Sequence, residues 1–419
     1  MGRQLCLVLL TATAGLLAGC GDGAGPDGFD DDQLRQQFAL APLGEVPQPP
    51  NDRASAERIE LGRLLFFDPI LGGEKDVSCG TCHHPAFAFT DGRQFSAGVS
   101  GVGLGPARVL SVSAISGLSI AQTPRNSPTV LNAAYNADSL GQPSHAGLQF
   151  WDGRAVGLEE QARGPITSRT EMAGDAYPSG VARDSVVARL RGIEEYIARF
   201  RAGFPVEAAS LPGSAVITMD TYGRAVAAYE RALVTRQSAF DRYAAGDDGA
   251  LTGQQKQGLE LFFTTARCSQ CHSGPMFSDY SFRVIGVPQV GSGGSVIPGD
   301  DVGREDHTGR VEDRHAFRTP SLRNVELTAP YMHDGVFATL EEVVKFYNAG
   351  ALPRHDGIGD AALDTLVATG LGMSEAQVAA VVAFLRALTD PGTGIDPTLR
   401  TVPLSVPSGL APVLGVQSP

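Results

Sequence analysis

The chain has 419 residues, 42% of them hydrophobic, and a formal net charge of −13 at pH 7. This length accommodates two or three domains with hydrophobic cores of their own. The negative charge argues against a protein that binds nucleic acid and against one that adheres directly to anionic lipid. The 51 glycines and 27 prolines predict many loops.

The N terminus predicts an exported, lipid-anchored protein. Arg3 precedes an apolar run over residues 5–17, which is too short to span a membrane and is placed as in a signal peptide. A Leu-Ala-Gly-Cys sequence that resembles a lipoprotein box ends at Cys20, so we predict a lipoprotein-type signal peptide over 1–19 and a lipid on Cys20. The alternative, cleavage after Ala14, would cut the apolar run short. Gly21 favours the outer membrane, and the predicted location is the periplasm.

Apolar residues recur at helical spacing along much of the remaining chain. The stretches that predict helices are 58–67, 184–204, 217–243, 252–263, 340–347 and 374–388. Strand-like alternation is confined to 282–287. No later stretch is long and apolar enough to span a bilayer, so the lipid on Cys20 is the only membrane contact that we expect. Residues 20–50 are acidic and contain several prolines, which predicts a tether.

Two copies of a Cys-x-x-Cys-His sequence are the most informative feature of the chain. They comprise Cys79, Cys82 and His83 in the first half and Cys268, Cys271 and His272 in the second. This spacing lets two thiols bind the vinyl groups of one haem while the adjacent imidazole ligates its iron. A zinc site built from the paired cysteines is the alternative, but it leaves both histidines unexplained. We therefore predict two covalently bound haem c groups.

The sequence around each motif repeats in the same order in both halves. The paired segments are Gly62–Phe67 with Gly258–Phe263, Pro85–Phe87 with Pro275–Phe277, Arg125–Asn132 with Arg318–Asn324, and Phe150–Gly153 with Met332–Gly335. Four matches in register indicate an internal duplication. We predict a mainly α-helical protein with two cytochrome c-like haem domains, over 51–245 and 246–395, followed by a tail over 396–419.

The duplication allows the two predicted haem sites to be compared. Pro165 lies fourteen residues after Trp151, and Tyr347 lies fourteen residues after His333, the counterpart of that tryptophan. If the copies superpose, Pro165 and Tyr347 approach the distal sides of their respective irons. Proline cannot ligate a metal, whereas a tyrosine phenolate can. One iron is then open for a small oxygen species, which favours chemistry over simple electron storage.

These residues resemble the bacterial di-haem cytochrome c peroxidase and MauG family from about residue 52 to residue 389. The segments that carry the resemblance are Phe150–Arg154, Leu158–Gln161, Pro165–Ile166, Glu171–Met172 and Tyr331–Gly335. The resemblance implies that the N-terminal haem is the high-spin peroxide site. It also implies a low-spin C-terminal haem that transfers electrons.

The resemblance implies roles for three residues near the first haem. Glu171 is the distal acid-base residue, Gln161 is its polar neighbour, and Trp151 lies between the haems. Peroxide cleavage needs a group that moves a proton between the two oxygens, and a carboxyl in an apolar pocket has the raised pKa for this. The alternatives are a solvated acid at a helix start for Glu171 and a core aromatic for Trp151.

The family also places a structural calcium ion between the two domains. The matching positions are the side chain of Asn126 and the backbone carbonyls of Thr328 and Pro330. Three oxygen donors and water suit this cation. A turn-forming role for Asn126 is the alternative.

Two departures from the peroxidases point toward MauG. Peroxidases that need reductive activation carry a distal histidine after the first haem motif, and residues 90–123 contain none. Tyr347 stands where peroxidases usually have methionine and MauG has tyrosine, although Met332 is a rival ligand for the second haem.

Three functions therefore stay open. The first is an oxidoreductase that uses hydrogen peroxide, with electrons from a cytochrome c or a cupredoxin passing through the C-terminal haem to the N-terminal one. The second is MauG-like oxidation of aromatic residues in a partner protein. The third is a plain electron carrier, which Glu171, Gln161 and Pro165 disfavour because a carrier would close both irons.

Overall fold

A computed structural model describes residues 27–290, 301–354, 358–359 and 362–412. The fold in these ranges is helix-rich, as predicted. The α-helices are α1 (Asp31–Gln37), α2 (Ala56–Phe67), α3 (Cys79–Cys82), α4 (Gly157–Gln161), α5 (Ser179–Arg191), α6 (Glu194–Gly203), α7 (Pro205–Ser210), α8 (Met219–Ala232), α9 (Ala239–Ala244), α10 (Gly253–Phe263), α11 (Glu305–Thr308), α12 (Leu340–Asn348) and α13 (Glu375–Ala387). Within the described part, no helix is long and apolar enough to cross a bilayer.

The strands in the described ranges form three short antiparallel pairs. They are β1 (Gly101–Val102) with β2 (Val109–Leu110), β3 (Leu148–Gln149) with β4 (Ala155–Val156), and β5 (Phe282–Arg283) with β6 (Phe317–Arg318). The stretch 282–287 was predicted as a strand, but only its first two residues pair.

Two of the predicted helices are interrupted in the structure. The stretch 184–204 divides into α5 and α6 because Ile193 is extended and begins the second helix as its N-cap. The stretch 217–243 divides into α8 and α9. The segment between them turns away because the buried backbone N–H of Thr235 donates to Asn132 Oδ1 at 2.8 Å. Helical periodicity continues through both breaks, so the sequence pattern does not reveal them.

The N-terminal core is built on a close crossing of α2 and α8. A Cβ atom added to Gly62 would lie 1.9 Å from the carbonyl oxygen of Ala225, so only glycine allows this approach. One turn later, the ring of Phe66 packs edge-on against Tyr229 with centroids 5.1 Å apart. Because this crossing holds α8 against α2, it sets the position of α8 beside the first haem motif.

The C-terminal core is built on a crossing of the same kind between α10 and α13. A Cβ atom added to Gly258 would lie 1.9 Å from the carbonyl oxygen of Ala380. Phe262 packs edge-on against Phe384 at 5.3 Å. Both crossings use the glycine of a Gly-x-x-x-Phe-Phe sequence, although the duplication itself stays a prediction. Helix α9, which the sequence assigned to the first domain, packs into this core through Phe240.

The two ends of the described chain cross over to the opposite halves. Residues 27–40, predicted as part of a tether, pack on the C-terminal half, where Phe38 stacks on Phe263 at 4.6 Å and Asp31 binds the buried Lys256 Nζ at 2.7 Å. Residues 396–410 pack on the N-terminal half, where Leu399 O accepts a hydrogen bond from Tyr229. The predicted signal peptide and Cys20 lie outside the described residues.

Candidate functional site

The first haem motif occupies a single helical turn followed by an exit into extended chain. Ser78 begins α3, and the turn packs so closely on Phe67 that a side chain at Gly80 would clash with its ring. His83 follows directly, and its Nδ1 lies 3.1 Å from Phe89 O. A carbonyl only accepts, so Nδ1 carries the proton and Nε2 keeps the lone pair that a metal needs. Burial lowers the pKa of His83, which also favours the neutral ligating form.

The second haem motif has the same arrangement. Cys268–Gln270 form a 3₁₀ turn, and His272 Nδ1 lies 2.9 Å from Phe277 O. Burial lowers the pKa of His272 as well. Each motif therefore presents two thiols and a neutral imidazole whose backbone hydrogen bond is made by Nδ1 and not by Nε2. Attachment of a c-type haem requires these groups.

A cavity of about 690 Å³ lies beside the first motif. Its wall includes Cys79, Cys82, His83, Trp151, Gln161 and Glu171. The structure therefore brings the three predicted catalytic residues together with the first pair of thiols and its histidine. Thiols, an imidazole and a few polar groups around a cavity of this size are a donor set that fits a covalently attached haem.

Glu171 lies in a five-residue π-helical turn, Arg169–Ala173, in the cavity wall. Its backbone oxygen accepts a hydrogen bond from Val99 N at 2.9 Å, which fixes the turn. Burial raises the pKa of the carboxyl, while the positive charge of Arg154 and a hydrogen bond with Ser168 lower it. The net shift is upward, toward the range in which a carboxyl can both take and give a proton. Glu171 therefore lines the cavity, and it is not the solvated acid at a helix start that was the alternative.

Trp151 lies where the two halves meet. Its indole Nε1 donates to Asn126 O at 2.9 Å, and its backbone oxygen accepts from Arg318 N on β6 at 2.8 Å. Next to it, Asp152 accepts from Arg125 at 2.6 Å and from Arg154 at 2.8 Å. These charges lower the pKa of Asp152 despite its burial, so this acid stays ionised.

The loops that carry the predicted calcium ligands meet at the same junction. The side-chain amide of Asn126 donates to Arg93 O at 2.7 Å. A Cβ atom added to Gly335 would lie 2.8 Å from Gln94 Cα and 3.1 Å from Pro330, so the Pro330 loop abuts the residue after Arg93. No cluster of three or more His, Cys, Asp or Glu residues that could hold a metal occurs in the described ranges. The predicted set consists of an amide and of carbonyls, including that of Thr328, and calcium stays a prediction.

Both candidate ligands of the second haem lie in one apolar cluster. Tyr347 and Met332 pack with Phe346 and Phe337. Burial raises the pKa of Tyr347. The choice between the two ligands stays a prediction.

Sequence reasoning missed one buried acidic residue of the first cavity. Glu230 lies on α8, one turn after Val226, and both residues line the cavity. The sequence signal was the position of Glu230 on the same face of α8 as its apolar residues. Acidic residues of an amphipathic helix usually lie on the opposite, solvated face.

Comparison with known proteins identifies the family. A sequence profile described as di-haem cytochrome c peroxidase matches residues 56–249. The chain is 35% identical over 386 residues to cytochrome-c peroxidase IdrP1 of Pseudomonas sp. (strain SCT), covering 86% of this chain and 88% of that protein. It is 36% identical over 312 residues to methylamine utilization protein MauG of Methylorubrum extorquens, covering 74% and 73%. The crystal structure of a MauG-like protein associated with microbial copper homeostasis matches with a TM-score of 0.66 at 29% identity, covering 86% of this chain and 97% of that one.

Two Cys-x-x-Cys-His turns, each with a backbone-bound histidine, define a protein with two c-type haem sites. The chain belongs to the di-haem cytochrome c peroxidase family. It is therefore an oxidoreductase of the peroxidase class, and membership implies two c-type haems.

Proposed function

We propose that the protein reduces hydrogen peroxide at the first cavity with electrons that arrive through the second haem. The proposal depends on one observation: Glu171, Gln161 and Trp151 all line the cavity beside the first haem motif. The overall reaction joins one peroxide, two electrons and two protons to give two water molecules. A small redox protein, a cytochrome c or a cupredoxin, supplies the electrons.

The protein's own groups handle the protons. A haem held by Cys79, Cys82 and His83 supplies an iron that binds peroxide and exchanges electrons. Glu171 accepts a proton from the near peroxide oxygen and delivers it to the oxygen that leaves as water. Gln161 orients the peroxide by hydrogen bonding from the same wall. Pro165, also in the wall, offers no ligating atom, so it would not compete with peroxide for a haem iron held at this motif.

Trp151 is the proposed electron path between the two halves. Its indole is hydrogen-bonded to the N-terminal loop and its backbone to β6 of the C-terminal half, which supports a rigid bridge. We also propose a calcium ion at Asn126, Thr328 and Pro330 to stiffen this junction. The proposed location is the periplasm, with a lipid on Cys20.

Resonance Raman spectroscopy of the oxidised protein tests the open first site. We expect one high-spin and one low-spin ferric haem, because residues 90–123 offer no distal histidine while the second site has a ligand. Two low-spin haems would contradict an open peroxide site.

MauG-like oxidation of a partner protein is the second candidate, and Tyr347 favours it. A phenolate ligand stabilises the oxidised states of the second haem, which suits removal of electrons from an aromatic side chain. The two candidates differ in what peroxide consumption requires. A reduced cytochrome c or cupredoxin is needed in the first case, and a protein that loses tryptophan or tyrosine absorbance is needed in the second.

A further inference from the structure

Three carboxyls besides that of Glu171 line the cavity of the first haem motif: Asp152 is ion-paired, Asp306 is exposed, and Glu230 is neither. Glu230 is 3% exposed, lines the cavity from α8, and its Oε2 accepts no hydrogen bond in the described part of the chain. The adjacent cation does not neutralise it, because Arg231 Nη1 binds Glu159 Oε1 at 2.6 Å instead. A buried carboxyl with neither solvent nor an ion pair is costly to ionise.

The surroundings of Glu230 favour its neutral form without excluding the charged one. Burial raises the pKa of Glu230 to about 8, the charge of Arg231 lowers it, and that of Glu159 raises it. The titratable groups coupled to it are Arg231, Glu159, Tyr222, Tyr229 and Cys79. The tyrosines stay neutral because burial raises their pKa values, and Cys79 no longer titrates once its sulfur is a thioether. Among Glu230, Tyr222, Tyr229 and Cys79, Glu230 is therefore the group that can change charge near neutral pH.

We propose that Glu230 is a redox-linked proton acceptor of the first haem cavity. It binds one proton when the first haem gains one electron, and it releases that proton when the electron leaves. The proposal rests on attachment of that haem at Cys79 and Cys82. Ferric haem carries one more positive charge than ferrous haem, and this charge favours the carboxylate. Reduction removes the charge, so the carboxyl takes a proton from solvent and the net charge of the cavity is conserved.

The proposed exchange has a use in peroxide reduction. The reaction consumes one proton per electron, and the cavity is lined largely by buried groups. Glu230 would hold a proton within the same cavity as Glu171, which acts on the peroxide itself. Glu159, which is ion-paired with Arg231 next to Glu230, has a side chain that is 22% exposed.

The test is the pH dependence of the reduction potential of each haem in the holoprotein. If one proton binds with each electron, the reduction potential falls by about 59 mV for each unit rise in pH. In the wild type, we expect a slope approaching this value for the first haem on the alkaline side of neutrality. Glu230→Gln keeps the shape of the neutral acid, so the variant should fold, retain both haems and lose this slope.

Two controls keep the result specific. Cys268, Cys271 and His272 are not among the residues that line this cavity, so the potential of the second haem should have the same pH dependence in the wild type and in Glu230→Gln. Glu171→Gln removes the other carboxyl of the cavity whose pKa burial raises, and it should leave the slope of the first haem in place. A wild-type slope in Glu230→Gln, or its loss only in Glu171→Gln, would overturn the proposal. A protein without covalent haem at the first motif would instead contradict the proposed function.

Discussion

At the scale of single residues, we propose different tasks for two carboxyls of one cavity, that of Glu171 and that of the more deeply buried Glu230. Glu171 lies in a π-helical turn, and its backbone oxygen accepts a hydrogen bond from Val99 N. Both carboxyls have raised pKa values, and burial is the largest cause in each case. We therefore expect the two groups to differ in what their removal affects: peroxide cleavage for Glu171 and the coupling of protons to electrons for Glu230.

Glu171→Gln should lower peroxide turnover by roughly two to four orders of magnitude, because the amide cannot carry a proton between the oxygens. The side chain keeps its shape, so haem content should be unchanged. Stopped-flow measurement of peroxide consumption checks this, with Glu194→Gln, an exposed acid of α6, as the matched control. Turnover at the wild-type level in Glu171→Gln would remove Glu171 from the mechanism.

Tyr347→Met should raise the reduction potential of the second haem, since a thioether favours the ferrous state and a phenolate the ferric state. A potentiometric titration of both haems measures this. Met332→Leu is the companion variant, because Met332 lies in the same apolar cluster. If only Met332→Leu shifts the potential, methionine is the ligand and the MauG-like candidate loses its main support.

The sequence was informative about Glu171, Gln161 and Trp151 because each belongs to a motif that could be matched as a unit. Glu230 has no such motif around it. An acid on a helix is usually solvated, and only the packing of α8 against α2 and α4 turns it inward. Its environment depends on residues far away in the chain, and a local pattern does not contain that information.

At the scale of elements, the two glycine crossings are the most demanding contacts of the fold. Gly258→Ala should lower the free energy of unfolding by about 1–3 kcal/mol, because the added methyl meets the backbone of α13 and cannot be accommodated by a side-chain rotation. The helix preference of alanine offsets only part of this, about 1 kcal/mol.

Gly180→Ala in α5 is the control for that substitution, since nothing lies within 4 Å of the added atom. It should raise stability by roughly 0.5–1 kcal/mol through helix propensity alone. Denaturant unfolding of the two variants should therefore show shifts of opposite sign. A stabilising effect of Gly258→Ala would mean that the α10–α13 crossing is looser than the structure indicates.

The helices were predictable where the local sequence pattern and the packing in the folded protein favour the same conformation. The predicted stretches 252–263, 340–347 and 374–388 match α10, α12 and α13 within one residue at each end. The predictions differed from the structure where a distant partner decides the conformation. Asn132 interrupts the helix predicted over 217–243 by binding the backbone N–H of Thr235. The buried Lys256 binds Asp31 and so holds the acidic segment around it against the C-terminal half.

At the scale of the whole molecule, the N-terminal segment stabilises the C-terminal half. Asp31→Asn should lower the free energy of unfolding by about 1–3 kcal/mol, because the 3% exposed Lys256 side chain loses one of its two carboxylate partners. Thermal unfolding measures the effect. Asp32→Asn is the neighbouring control: its side chain is 82% exposed, so its loss should cost less than about 1 kcal/mol. Equal effects would mean that the buried pair adds nothing beyond surface charge.

The crossing of the two chain ends has a consequence for how the protein matures. The C-terminal segment covers part of the N-terminal half, where Arg63 donates to Thr401 O at 3.0 Å and Ser408 donates to Asp68 at 2.6 Å. The N-terminal half is therefore complete only after residues 396–410 have been made. A chain that lacks them leaves apolar surface uncovered around Tyr229, where Leu399 packs. Chaperones and proteases act on incompletely folded chains, so we expect a chain without residues 396–410 to be degraded faster than one that contains them.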